Sequence, residues 1–414
     1  MPTLFVPTER ERDLVQANTQ IQHELKQLNL HDQLQILGTR IVNARVMLRH
    51  ATLHQQAGGS GKGDKDNALT GAYYEALEHY LTEFHGLDAA LDYVDASSFE
   101  RSGFFQDDSL LDAVIENSTA RIACRRYQSP LDESSFNYPI AFSLPNYADA
   151  PLAQDTFNYA SLRRYCCNSG IAIGATYNEA VLHAINECLE RDALSLFLLN
   201  HFYYQHKEPL RVLERPGAEL PLAQLWRDAE VELSAQVVVL DISNEFEAKT
   251  YLAFTLPRSQ HAGIFGSGTS LSAEHAVTRA LTELVQMQLG AQLPEVAHHL
   301  YHQERHLAVF PRLQRCLQLD LQALMLTANR HNVALPAAYA VTALDEQIQI
   351  LAINMRQHQR ELGISIMFSS ERGTTLANVV IPGLERFYIV CSGNVVIPQA
   401  RGLALKTRKA RQFA

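Results

Sequence analysis

Residues Ser169 to Asp192 read SGIAIGATYNEAVLHAINECLERD. Glycines open the stretch, a helix pattern follows, and it ends in Glu187, Glu190 and Arg191. Val181, Leu182, Ala184, Ile185, Cys188 and Leu189 make a broad apolar stripe at helical spacing. Glu187 and Glu190 stand three apart and therefore share a helix face, with Glu179 about two turns earlier. Carboxylates on so apolar a helix are costly unless a cation or a partner meets them.

The pattern recurs on both sides. Ala72, Glu75 and Glu78 repeat it earlier, and Ala280, Glu283 and Gln286 repeat it later, so A-x-x-E-x-x-[E/Q] occurs three times. Each copy follows a glycine run, Gly58 to Gly63, Gly170 to Gly174 and Gly266 to Gly268, which reads as a loop before a helix. A single acidic pair at i,i+3 is an ordinary solvated helix face. Three copies, each behind glycines, are a repeat with a purpose.

The set resembles the YcaO family of ATP-dependent enzymes that modify peptide backbones. The residues that carry the resemblance are GKGDKDNALTGAYYEALEHY from Gly61, the stretch Ser169 to Arg191, Ala276 to Gln286, and the late segment Val379 to Glu385. It spans about residues 55 to 395, with the motifs in family order. The resemblance implies an α+β fold, mixed sheets covered by helices, with three acidic helices around one nucleotide site. It implies ATP and Mg2+ as cofactors. Glu75, Glu78, Glu187, Glu190 and Glu283 are then the expected metal ligands, and Lys62, Glu179, Arg191, Arg279 and Gln286 the expected nucleotide contacts. Magnesium takes oxygen ligands and keeps phosphate oxygens and water in its shell, which suits carboxylates. Arginines suit phosphates because they bind them bidentately. Without metal and nucleotide, the converging carboxylates repel one another and their pKa values rise. No residue is singled out as an acid, base or nucleophile.

The sequence departs from the family motifs at Gly71, where Ser is usual, at His79, where Arg is usual, and at Ala175, where Asn is usual. Asn168 and Ser169 stand in reversed order. Gly58 to Asn67 contains Gly-Lys but is not a Walker A loop, because Gly63 occupies the place of the Mg2+-binding Ser or Thr.

Composition narrows the alternatives. The 414 residues are 47% hydrophobic and 19% charged, as in ordinary globular proteins. A net charge of -10 argues against a nucleic-acid binder. The N-terminus lacks the apolar run of a signal peptide, no stretch has the length of a membrane span, and the six cysteines form no C-x-x-C. A reduced cytoplasm is the expected setting. Residues 1-55 read as an N-terminal segment of one polar helix and a strand, 56-395 as the catalytic domain, and 396-414 as a basic, solvated tail. Residues 236 to 242 and 249 to 256 read as buried strands, with another ending at Phe265, and 344 to 360 as an amphipathic helix. The proline-containing stretch Tyr127 to Leu162 reads either as a surface excursion or as part of a peptide channel. His298, His302 and His306 share a helix face, but without further ligands they read as a partly solvated helix rather than a zinc site.

The expected reaction is activation of backbone amides in a ribosomally made precursor peptide. Azoline-forming cyclodehydration of Cys, Ser or Thr comes first, and thioamide formation with a sulfur-transfer partner is the alternative. A nucleotide-weak scaffold is the non-enzymatic reading. No segment looks like a peptide-docking module, so a partner protein is expected, and a homodimer stays open.

Overall fold

The three glycine runs are largely strands. The computed structural model describes residues 8–412 other than 102, 106, 117–118, 258–262 and 338–341, with no side chains described at 100, 101 and 407–412. The chain opens with α1 (Leu14–Gln27), begun by a capping box between Asp13 and Gln16 that burial of Ile21 and Leu25 then anchors. Strands β1 (Leu30–Leu37), β2 (Val42–His50) and β3 (Gln56–Gly63) form an antiparallel sheet, and α2 (Lys65–His85) follows. Next come β4 (Asp92–Asp95), α3 (Ser109–Ile115), β5 (Arg121–Gln128), β6 (Ser135–Pro139), β7 (Ile171–Gly174) and α4 (Tyr177–Leu198). The third stretch runs through β8 (Leu210–Leu213), α5 (Pro221–Leu233), β9 (Gln236–Asp241), β10 (Lys249–Leu256), β11 (Gly266–Ser270) and α6 (Ala273–Ala291). The chain then continues through α7 (Pro294–Leu307), α8 (Pro311–Gln318), α9 (Leu321–Thr327), β12 (Arg330–Val333), α10 (Leu344–Gln357), β13 (Gly363–Ser369), β14 (Thr375–Val380) and α11 (Ala400–Gln412).

The second sheet has the order β4-β5-β13-β14-β7, with β6 added on β5. The third has the order β11-β10-β9-β8-β12, in which β8 and β12 are parallel. The glycine strands β3, β7 and β11 each end a sheet, and each leads directly into an acidic helix. The turn between them is short because a side chain caps each helix. Asp64 accepts from Asp66 and Asn67, Thr176 from Glu179, and Ser272 from His275.

The glycines serve close packing rather than loop flexibility, which corrects the loop reading of Gly58 to Asn67 and of Gly266 to Gly268. A Cβ at Gly61 would fall 1.8 Å from the Ala68 carbonyl oxygen, and one at Gly268 would fall 2.3 Å from that of Ala276. Strand and helix backbones touch there, and the alanines of the motif, Ala72 and Ala280, lie fully buried on the strand side. The strand expected to end at Phe265 is β11 beyond it, and residues 258–262 lie outside the described residues.

Helix α4 is the most enclosed of the three, with Ala180, Val181, Ala184 and Ile185 sealed from solvent. Segments near both ends of the described residues dock on it. Glu9 takes Asn186 of α4 at 3.3 Å. At the other end, Arg401 grips the fully buried Asp192 through Nε and Nη2 at 2.9 Å each. Residues 396–412 are therefore no free tail: α11 starts as a helix fixed to the core by a paired charge. Its opening amides, at Gln399 and Gly402, donate to the buried Glu385.

Candidate nucleotide and metal site

The three strand–helix units close on one another in a ring, through the last position of each motif. Glu78 on α2 accepts from the Ile173 amide of β7 at 2.9 Å. Glu190 on α4 accepts from the Ser267 hydroxyl of β11 at 2.7 Å. Gln286 on α6 donates to the Ser60 carbonyl of β3 at 2.9 Å. Each unit thus reaches the glycine strand of the next, and the third returns to the first. The first acid of two motifs instead bonds close to its own strand. Glu187 accepts from the Gly170 amide at 3.0 Å and Glu283 from the Ser267 amide at 3.2 Å. Lys62, on β3, crosses the ring to pair with Glu283.

This convergence has the expected electrostatic signature. Burial, reinforced by Glu187 and Glu75, holds the Glu78 carboxyl well above the usual range. Burial raises Glu75, against the opposing pull of His79, the Ser60 amide and Lys62. Burial and Glu283 raise Glu190. For Glu283, burial pushes upward, but Lys62 and Arg279 outweigh it and leave the carboxyl low. Raised carboxyls that face one another are poised to exchange protons for a cation.

A cationic side faces these acids. Arg279 Nη1 lies 3.5 Å from His183 Nδ1. Burial, with Arg279, Arg10 and Lys62 behind it, holds His183 well below its ordinary range. Burial likewise pushes His275 down to about 4 despite Glu9. Both imidazoles are neutral near pH 7, so they leave the guanidinium unopposed without adding charge of their own. Arg279 Nε is buried without a hydrogen-bond partner. Arg191 pairs with Glu187 at 3.0 Å and lies 5.0 Å from the Tyr388 ring centre, and although burial works against its charge, Glu187 lifts its pKa further above the ordinary value.

The residues fit a magnesium nucleotide in kind. The acids offer hard oxygen donors, and the partnerless Arg279 Nε is a donor left over for an anion. In this arrangement, no group of three or more His, Cys, Asp or Glu among the described residues is drawn together closely enough to grip an ion. An amide or a hydroxyl bonds one oxygen of each of Glu78, Glu187 and Glu190, while Ser267 and Lys62 engage both oxygens of Glu283.

Nine of the ten residues singled out in the sequence take part in this network or its charged border. Glu179 does not. Its carboxylate accepts from the Glu11 and Arg12 amides at 2.8 and 3.1 Å and from the Ala175 amide at 3.2 Å. That fastens the N-terminal segment to the start of α4. The histidines of α7 lie on a solvent-facing helix, with the His298 and His302 rings 4.3 Å apart. Sequence reading passed over Ser60, Ser267, His183 and Glu9. Ser60 and Ser267 had a signal, since each sits between two glycines, G-S-G, ahead of its helix. His183 and Glu9 had none, because only folding brings them near Arg279 and His275.

Among the described residues, no helix is long and apolar enough to cross a membrane. A family model described as YcaO cyclodehydratase, ATP- and Mg2+-binding, matches residues 60–385. A YcaO protein from Methanopyrus kandleri, solved with AMPPCP and Mg2+, superimposes with a TM-score of 0.65 at 17% identity over 96% of this chain and 99% of its own. A heterocyclase solved with substrate and cofactor gives a TM-score of 0.65 at 17% identity, over 92% of this chain and 54% of its own. The E. coli microcin synthetase McbBCD complex gives 0.55 at 13% identity, over 86% and 88%. An uncharacterized protein of Methanothermobacter thermautotrophicus is 26% identical over 53% of this chain, which spans about half the length of that curated relative (56%). The match covers most of the chain and all three acidic motifs, and the chain belongs to the YcaO family of ATP-dependent enzymes.

Proposed function

We propose that this protein uses ATP and Mg2+ to activate backbone amides of a ribosomally made precursor peptide, and that it cyclises Cys, Ser or Thr residues to azolines. The observation that carries this reading is the closed ring of Glu78, Glu190 and Gln286 contacts, which sets the carboxylates opposite Lys62 and Arg279. Glu75, Glu78, Glu187, Glu190 and Glu283 would hold the metal, and Lys62, Arg279 and Arg191 would meet the phosphates. Bound MgATP supplies the phosphoryl group that converts the amide oxygen into a leaving group. The chain's residues position the reactants and neutralise charge where it develops. The peptide-binding partner implied for such a reaction is a separate protein; the structurally similar E. coli microcin synthetase is itself a complex, McbBCD.

Purified protein, ATP, Mg2+, partner and precursor peptide are combined, and phosphate release is compared with the peptide's mass. One phosphate per modified residue with loss of water supports azoline formation. Exchange of oxygen for sulfur supports thioamide formation instead. Modification at full rate without ATP sinks both readings, and a protein that binds no nucleotide is the scaffold.

A further inference from the structure

Arg191 has a counter-charge, but the nitrogen nearest it has no hydrogen bond. Its Nη1 lies 3.0 Å from Glu187 Oε1 and is nevertheless buried without an aligned hydrogen-bond partner. Charge attraction alone fixes a separation, whereas the plane of a guanidinium is fixed by aligned hydrogen bonds or by a stacked ring. The flat surface against Arg191 is the Tyr388 ring, whose centre is 5.0 Å from Arg191 Cζ.

Tyr388 is itself anchored at both ends. Its amide donates to the Ser195 hydroxyl at 2.8 Å, and that hydroxyl donates to the Arg191 carbonyl oxygen at 2.6 Å. Ser195 thus ties the Tyr388 backbone to the turn of α4 that carries Arg191. The Tyr388 hydroxyl lies 3.3 Å from Cys167 Sγ. Cys167 is three residues before Gly170, whose amide holds Glu187. The contacts close a circuit from Glu187 to Arg191, Tyr388 and Cys167, and back through Gly170. Burial raises the pKa of the Tyr388 hydroxyl while Arg191 pulls it down, and the ring stays neutral near pH 7. It therefore offers Arg191 a π face rather than an anion. A carboxylate bonded at the guanidinium edge would use the donors that a phosphate needs, and a ring beneath the plane leaves them open.

We propose that Tyr388 is a positioning residue, whose ring sets the plane of the Arg191 guanidinium and keeps its donor edge open for a phosphate. The inference rests on the function proposed above, in which Arg191 meets the phosphates. Tyr388 lies three residues beyond Glu385, where the last motif ends, and no spacing in the sequence marks it. A guanidinium oriented before the nucleotide arrives loses less freedom on binding. Nucleotide affinity should therefore depend on the ring rather than on the hydroxyl, and only while Arg191 is present.

The test uses the full chain with Mg2+ and AMPPCP, followed by calorimetry, with unfolding midpoints taken on the same preparations. Tyr388 is only partly buried, so its ring can be replaced without opening a sealed core. Tyr388→Phe keeps the face and should bind AMPPCP within about twofold of wild type. Tyr388→Leu and Tyr388→Met remove the face and should each bind about fivefold or more weakly. With Arg191→Met already present, Tyr388→Leu should weaken binding by less than about a further twofold. A purely structural tyrosine predicts a lowered midpoint with unchanged affinity, or losses that multiply in the double variant, and either result overturns the inference. So does a Tyr388→Phe protein as weak as Tyr388→Leu, which would assign the effect to the Cys167 contact. Failure of both ring-free variants to fold, or an Arg191→Met protein that binds like wild type, overturns it as well. A wild-type protein that binds no AMPPCP instead overturns the proposed function, and the inference with it.

Discussion

Glu78 and Glu187 are both acids of the repeat, at different positions in it, and should respond oppositely to the same substitution. Glu78 is 9% exposed and has two acids as neighbours. Its folded pKa stands above the ordinary 4.5, so above that pH the folded protein retains a proton that the unfolded chain gives up. Its contribution to stability therefore falls as pH rises past about 4.5. Glu78→Gln keeps an acceptor for the Ile173 amide and removes the charge. Without metal, we expect the variant to be about 1–2 kcal/mol more stable than wild type at pH 8, with the gap closing towards pH 4. Thermal unfolding in EDTA across that range tests this, and a variant less stable at every pH refutes it. Glu187→Gln keeps the Gly170 contact but strips Arg191 of its counter-charge. The two side chains are 21% and 22% exposed, so solvent softens the loss to about 1 kcal/mol of destabilisation. Both variants should bind Mg2+-AMPPCP about tenfold or more weakly, measured by calorimetry, if both carboxylates hold the metal.

At the level of the element, the repeated unit is a glycine strand pressed on an alanine-bearing helix. Gly61→Ala drives a methyl group into the Ala68 carbonyl. Backbone cannot yield as a flexible side chain does, so the loss should reach about 3 kcal/mol or more, with little folded protein recovered. Gly71 is a useful control, since it lies exposed on α2 and its Cβ would meet nothing nearer than Gly61 Cα at 3.6 Å. Gly71→Ala should raise stability by about 0.5–1 kcal/mol through helix propensity alone. Denaturant midpoints for the pair decide whether close packing or loop flexibility explains the glycines. Equal effects at the two positions would restore the loop reading.

The whole molecule is tied together at Glu9. Its carboxylate meets Asn186 on α4, Ser270 at the end of β11, and His275 on α6 at 3.5 Å. A residue outside the conventional motif span thus joins two of the three units. Glu9→Ala leaves buried donors without acceptors and should lower global stability by about 2–3 kcal/mol. Because the units share such links, calorimetry should show one transition shifted downward. Two separated transitions would mean that the units unfold independently. Saturating Mg2+-AMPPCP should shift the wild-type transition upward by about 2.7 kcal/mol at a hundredfold excess over Kd.

The repeat was legible in the sequence because it is local chemistry. Alanine and glutamate at fixed helical spacing, glycines before them and capping residues between are written within about thirty residues each time, and helix periodicity exposes them. That was enough to pick out the acids of the repeat and the mixed α and β character. The glycines were misread because close approach and loop flexibility call for the same residue, and only the partner backbone separates them. Helical spacing likewise gives Glu179 a face, but not the Glu11 and Arg12 amides that the chain's beginning lays against it. The cyclic pairing of Glu78 with β7, Glu190 with β11 and Gln286 with β3 joins positions 77 to 226 residues apart. Such contacts follow from how the three strand–helix units pack on one another, and burial then shifts Glu75, Glu78 and Glu190 upward, which no residue's neighbours in sequence could have shown.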